Sequence, residues 1–225
     1  MRLTGFSPSA FRKITAVFLL LSLVLNASRP AIPSSELPDR ESTRKESAPA
    51  FPESLNPGMV DALREKLPQF LPLMKNNLLT LIDFSLPSTA RRLWTINLET
   101  GEVVFNTFVA HGRNSGNNEA VSFSNKPQSF QSSLGFYLTS QVYSGKHGRS
   151  LRLTGLEKNI NDKAWERAIV IHGADYVSEN FIKVHGRLGR SHGCPAIPPE
   201  ITAEFIETVK EGSLLFIYHP RYENL

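Results

Sequence analysis

The chain has 225 residues, 40% hydrophobic and 20% charged, with 14 Phe and 2 Trp. These globular proportions exclude collagen-like, coiled-coil, multi-span membrane and wholly disordered classes. The formal charge of +4 rests on Arg2, Arg12 and Lys13: 25 basic residues less these three leave 22 against 21 acidic ones, so no electrostatic case for a nucleic-acid partner remains.

Residues 1–27 hold those three cations, no acidic residue, and an apolar run from Ile14 to Leu25. Only 15 uncharged positions separate Lys13 from Arg29, fewer than the ~20 apolar residues of a spanning helix. A signal peptide or N-terminal membrane anchor is expected, and with it export to the periplasm or cell envelope. No cysteine lies there, which removes a lipoprotein anchor. Residues 28–58 carry six Pro, six Ser and mixed charges. They bury too little apolar surface to offset their ordering entropy and are expected to form a disordered linker, punctuated at its end by Asn56-Pro57-Gly58.

Residues 59–225 are expected to be the folded unit. Val60, Leu63, Leu67, Phe70 and Leu71 have helical spacing and predict a short helix interrupted at Pro68 and Pro72. The pattern then turns to strands. Arg91–Leu98 and Glu102–Ala110 flank Glu99-Thr100-Gly101 and predict a hairpin. Further strands are expected at Leu134–Ser140, Ser150–Leu153, Ala168–His172 and Leu214–Tyr218, with helices at Asp162–Arg167, capped by Asn161, and Glu200–Lys210. Short strands between Gly/Ser/Asn loops imply a mainly β domain, sandwich or barrel-like, with a few short helices.

Chemistry concentrates in Ile171–Pro199, which brings together His172, His185, Ser191, His192, Gly193 and Cys194, the only cysteine of the chain. A lone cysteine in an exported protein pairs between molecules, reacts, or is a small buried hydrophobe. A thiol becomes a strong nucleophile when ionised, which needs a base or positive field nearby. Histidine suits that role because its proton affinity lies near neutrality. His172 falls at a predicted strand end, and Gly193 beside Cys194 lets backbone N–H groups approach a developing oxyanion.

Ser191-His192-Gly193-Cys194 with His172 upstream resembles the signature of the L,D-transpeptidase catalytic domain, the YkuD-like cysteine acyltransferases of peptidoglycan. The branch it is most similar to is the murein L,D-transpeptidase catalytic domain. Its pattern recurs in order: Ile82-Asp83-Phe84-Ser85, Val109-Ala110-His111-Gly112-Arg113 with Asn114-Ser115-Gly116, Phe123-Ser124-Asn125, and Ser132-Ser133-Leu134-Gly135-Phe136-Tyr137. Ile171-His172-Gly173-Ala174, then Gly186-Arg187-Leu188-Gly189-Arg190-Ser191 and Gly193-Cys194-Pro195-Ala196, complete it. The resemblance spans roughly Leu81 to Tyr218. It departs where Pro195-Ala196-Ile197 follows the cysteine, where His192 replaces an expected Trp, and in the 22-residue step from His172 to Cys194.

The resemblance implies Cys194 as nucleophile, His172 as general base and the Gly173 carbonyl as its orienting group. Ser191, His192 and Gly193 belong to the nucleophile loop, whose backbone N–H groups form the oxyanion hole. Arg190, Arg187, Arg113 and His111 are the candidate contacts to stem-peptide carboxylates. Donor and acceptor would be peptidoglycan stem peptides, and no cofactor or metal is implied. Water in place of the acceptor amine would make the enzyme an L,D-carboxypeptidase. Two further readings stay open: a metal-dependent peptidoglycan hydrolase using His172, His185, His192 and Cys194 as ligands, and a non-catalytic envelope-binding protein. Each side chain also has a plainer role. His172 can end a strand, His192 can pack, His185 and the His111 loop can be ordinary turns, the arginines can be solvated, and Tyr137 and Tyr143 can be strand packing.

Overall fold

The computed structural model describes residues 51–146 and 148–225. The expected leader, and the linker up to residue 50, lie outside these. Asn56 accepts the Gly58 N–H on its side chain (2.9 Å) and starts helix α1 (Pro57–Phe70), with Pro at the first position where its missing N–H costs nothing. The helix continues through Pro68 instead of breaking there, because only one N–H is lost so near its end; a short 3-10 turn, Leu71–Leu73, follows. Met59, Leu63, Leu67 and Phe70 form its buried stripe, and Phe70 packs on Phe136 at 4.5 Å between ring centroids.

Eight strands follow: β1 (Leu78–Asp83), β2 (Leu93–Asn97), β3 (Val103–Thr107), β4 (Gly135–Gly145), β5 (Gly148–Gly155), β6 (Val170–Gly173), β7 (Ala196–Ile197) and β8 (Leu214–Tyr218). They form one sheet in the order β3-β2-β1-β8-β4-β5-β6-β7. The mainly β expectation holds, and so does the predicted hairpin, seen as antiparallel β2 and β3. β8 lies in the middle, parallel to β1 and antiparallel to β4, and is buried at every position. Its continuous Leu-Leu-Phe-Ile-Tyr run suits a strand covered on both faces.

The sheet nearly closes into a barrel. Beyond β3 the chain crosses to the opposite edge, where Ala110 N donates to Ala196 O (2.8 Å) and Ser191 N to His111 O (2.9 Å). One continuous segment therefore satisfies both sheet edges. Two short helices complete the unit, α2 (Glu179–His185) and α3 (Pro199–Val209).

Two sequence expectations fail. Residues 162–167 are irregular turns, not a helix. Asn161 does not cap: its fully buried amide donates to Leu134 O and Phe136 O (both 2.9 Å), while its carbonyl accepts from Glu157 N. The strand expected from Ala168 begins at Val170, because Ala168 has φ +53°, which reverses the chain just before β6.

Candidate active site

Parallel pairing of β6 with β7 sets His172 opposite Ala196 and Gly173 opposite Ile197. Two residues back in the same register, Val170 at the start of β6 comes against Cys194, just ahead of β7. The half-buried thiol lies 3.8 Å from Ala168 O. Burial holds its pKa above the ordinary thiol value; the Val170 amide, the Arg167 and Arg152 guanidiniums and the Cys194 amide offset only part of that rise. Buried His172 holds Nδ1 2.9 Å from Gly173 O. A carbonyl only accepts, so Nδ1 carries the proton and Nε2 is left as the basic nitrogen. Gly173 is glycine for a packing reason: a Cβ there would come 2.5 Å from Thr202 Oγ1 on α3.

The loop 191–194 is braced from within and above. Ser191 Oγ donates to Cys194 O (2.6 Å) and accepts from Gly193 N (3.0 Å). Of the loop amides expected to serve as oxyanion donors, that of Gly193 is thereby engaged inside the loop. Gly193 has φ +121°, and a Cβ would meet Gln131 O at 2.7 Å and Arg167 Nη2 at 3.1 Å. Its carbonyl accepts from buried Ser132 Oγ (3.1 Å). Ser132 Oγ also accepts from Gly112 N (3.0 Å), so segment 121–134 is fastened across both closing loops.

The arginine and histidine candidates separate. His111 is fully buried, and its Nδ1 accepts from Arg92 Nη2 (2.8 Å). It braces the core and does not face a ligand, which corrects its expected substrate contact. Arg190 Nη1 donates to Gly116 O (3.0 Å), and half-buried Arg187 donates to Leu188 O (2.7 Å). Arg187 thus holds its own turn, while Arg190 ties its segment to the 113–116 loop. Exposed Arg113 lies over the Phe130 ring at 4.1 Å, and that ring stands 4.7 Å from exposed His192. His185 lies on α2 against Phe181, with ring centroids 4.1 Å apart. Among the described residues no three His, Cys, Asp or Glu side chains converge as a metal site would require, so the four-residue ligand set is not assembled. Tyr137 is strand packing, buried with its hydroxyl donating to Ser133 O (3.0 Å).

Sequence reasoning missed three neighbours of the thiol: Arg167, Arg152 and Tyr176. Tyr176 lies flat against Gly189, where a Cβ would come 2.3 Å from its own Cβ; burial, with the Cys194 charge, pushes its phenol to about 12. It sits in the stretch 174–190, which accounts for the long step between His172 and Cys194 and folds in part as α2. No local signal marks these three: Arg152 arrives on β5, Arg167 from the turn before β6, and Tyr176 from the 174–190 stretch.

Comparison with curated proteins gives no match. Among solved structures, an L,D-transpeptidase from Mycobacterium smegmatis is 15% identical, with 64% of this chain and 59% of that one covered and a TM-score of 0.40. The helical cell shape determining protein Pgp2 from Campylobacter jejuni is 15% identical over 65% of this chain and 49% of its own, at 0.43. An L,D-transpeptidase from Stackebrandtia nassauensis is 16% identical over 64% and 57%, at 0.38. The chain thus spans about half to three-fifths of the length of these structures. Residues 62–218 match the L,D-transpeptidase catalytic domain, and with more than half of its length so matched, the chain belongs to the L,D-transpeptidase catalytic-domain family.

Proposed function

We propose that this protein is a cysteine acyltransferase of peptidoglycan stem peptides, with Cys194 as nucleophile and His172 as general base. The observation that carries the reading is the His172–Gly173 hydrogen bond: it puts the neutral imidazole's proton on Nδ1 and makes Nε2 the accepting nitrogen, on the strand paired in parallel with the one that Cys194 leads into. Family membership supplies the substrate class. The thiol proton passes to His172 Nε2 as sulfur attacks the carbonyl of the third stem residue. The C–N bond to the terminal D-alanine breaks, and that amine leaves with the proton from the imidazolium. A thioester remains on Cys194. An acceptor amine attacks it, His172 takes the amine proton, and the thiolate departs, leaving a new amide cross-link. Backbone amides of the nucleophile loop stabilise the developing oxyanion in each half. The leader then serves export, so that the domain works in the periplasm or cell envelope, where no nucleotide is needed because the donor peptide bond supplies the energy.

Incubating the full-length chain with disaccharide-tetrapeptides and weighing the products tests this. Cross-linked dimer is the expected product. Tripeptide alone makes the protein an L,D-carboxypeptidase working through the same thioester. Unchanged substrate, from folded protein, sinks the enzymatic reading.

A further inference from the structure

The guanidinium of Arg167 has no carboxylate. Its four hydrogen bonds go to neutral oxygens of one segment: Nη1 to Ser124 O (2.7 Å) and Ser133 Oγ, and Nη2 to Gln131 O and Ser129 Oγ (3.4 Å). None of the ion pairs among the described residues includes it. Two groups that can become anions interact with it, Tyr137 and Cys194. Tyr137 is buried, and burial holds its phenol neutral far above physiological pH. The thiol is the group left that can ionise against this cation.

Position supports the pairing. Arg167 precedes β6, and its Nη2 stands 3.1 Å from where a Gly193 Cβ would be, one residue from the thiol. Ala168, the next residue, offers the carbonyl that Cys194 Sγ touches at 3.8 Å. A half-buried guanidinium whose four Nη hydrogen bonds go to neutral acceptors keeps its charge, with little solvent between it and its neighbours to screen it.

We propose that Arg167 is a positioning residue of the thiol centre: it supplies the fixed positive charge against which Cys194 ionises, and it anchors segment 121–134 over Gly193 while doing so. This rests on the proposed thiol chemistry. Two other groups interact with the thiol, Arg152 on β5 and Tyr176 from the 174–190 stretch; His172 on β6 and His192, two residues before the thiol, are the further titratable residues of the site. Arg152 is engaged with the rings of Tyr143 (5.1 Å) and Trp165 (4.9 Å), so it is the second cation and serves as the comparison.

The experiment reads the thiol directly. Cys194 is the only thiol of the chain, so the rate of iodoacetamide alkylation against pH, on the full-length protein, gives its apparent pKa without any substrate. Arg167→Met is expected to raise that pKa by about one unit and slow alkylation near pH 7 about tenfold, with rates converging above pH 10. Arg167→Lys keeps the charge, loses the fork, and is expected to stay within a few tenths of the parent value. Arg152→Met is expected to move it less than Arg167→Met. If Arg167→Met does not fold, Arg167→Gln, which keeps an N–H donor without the charge, is measured in its place. An unchanged pKa in a folded neutral variant overturns the proposal. So does Arg167→Lys shifting as far as the neutral variant, because loop anchoring alone would then explain the effect. Muropeptide turnover is scored separately. A parent enzyme that turns over with an unmoved thiol defeats only the Arg167 proposal. An inert parent whose thiol still responds to Arg167 defeats only the catalytic reading.

Discussion

Two guanidinium centres in this protein make opposite use of a buried cation. Around Arg92 the side chain is fully enclosed. Its Nε and Nη2 bond Val109 O (3.1 and 2.9 Å), Nη1 bonds Leu86 O (2.7 Å), and Nη2 also bonds His111 Nδ1. The Phe84 ring lies 4.8 Å beneath it. Burial first, then the Arg92 charge, drive the His111 pKa down to about 3, so this histidine stays neutral and acts as a strut. Around Arg167 the cation again bonds carbonyls and hydroxyls, but its titratable neighbour is a half-buried thiol that gains a charge on ionising. A cation beside a base suppresses its chemistry; a cation beside an acid promotes it. Full enclosure turns the first centre into scaffold. Partial exposure leaves the second within reach of solvent.

The sharpest break of this comparison is Cys194→Ala. All turnover and every thiol-directed adduct, including that of carbapenem-type β-lactams, are expected to vanish while the thermal midpoint moves by only a few degrees. Retained turnover, read by mass spectrometry of muropeptides, would end the enzymatic reading. His172→Ala comes next. Acylation rates by stopped flow should fall roughly 10²–10⁴-fold, the contribution of a positioned base, with a smaller fall for His192→Ala. The reverse order, in folded proteins, would reassign the base to His192.

On the scaffold side the effect should appear in stability. Arg92→Met strips the donors from Leu86 O, Val109 O and His111 Nδ1, and removes the positive charge near buried Asp83. A loss of about 3 kcal/mol is expected in urea denaturation. Catalytic constants per folded molecule should hold, and a loss below 1 kcal/mol would deny Arg92 its structural role.

The pH dependence of stability separates the centres further. His111 is depressed in the folded state, so the unfolded chain binds the extra proton. Its contribution is therefore whole above about pH 6.5 and is lost as pH falls toward 3. The slope is at most about 1.4 kcal/mol per pH unit. Asp83 is raised by burial and works the other way, stabilising below its unfolded pKa and losing that contribution as pH rises. His111→Gln should flatten the melting-temperature profile between pH 6 and 4. A profile as steep as the parent's would mean that other groups set it.

Ser191→Ala is the finest probe. Losing one hydroxyl that bridges Gly193 N and Cys194 O should cost about 1 kcal/mol. A several-fold drop in kcat is expected, with the thiol titration unchanged; a shift of that titration would mean that the hydroxyl acts on sulfur and not on the loop.

Legibility in the sequence followed the range of the interaction. The β2–β3 hairpin could be read because Gly101, at φ +75°, lies between two apolar runs and needs nothing distant. The 162–167 helix was misread for the opposite reason. Asn161 carries the local signature of a cap, but two carbonyls about 25 residues away on the sheet compete for its amide and win. The same contrast runs through the site. Cys194, Ser191, Gly193 and His172 stand in one recognisable stretch, whereas His111 carries no mark that distinguishes a ligand contact from a strut. Only enclosure by Arg92 and Phe84 decides that.

By itself, then, the sequence determined the mainly β class, the thiol and imidazole as the reactive pair to examine, and the near-neutral charge of the chain beyond residue 27. These depend on residue type and on spacings of a few residues. Tertiary structure decided the parallel insertion of β8 beside β1, closure of the sheet through Ala110 and Ala196, and the arrival of Arg167 beside Gly193. Those outcomes come from backbone pairing between segments up to about 135 residues apart. The loop-closure entropy of such pairing is offset only by the whole core, so no local stretch of the chain announces them.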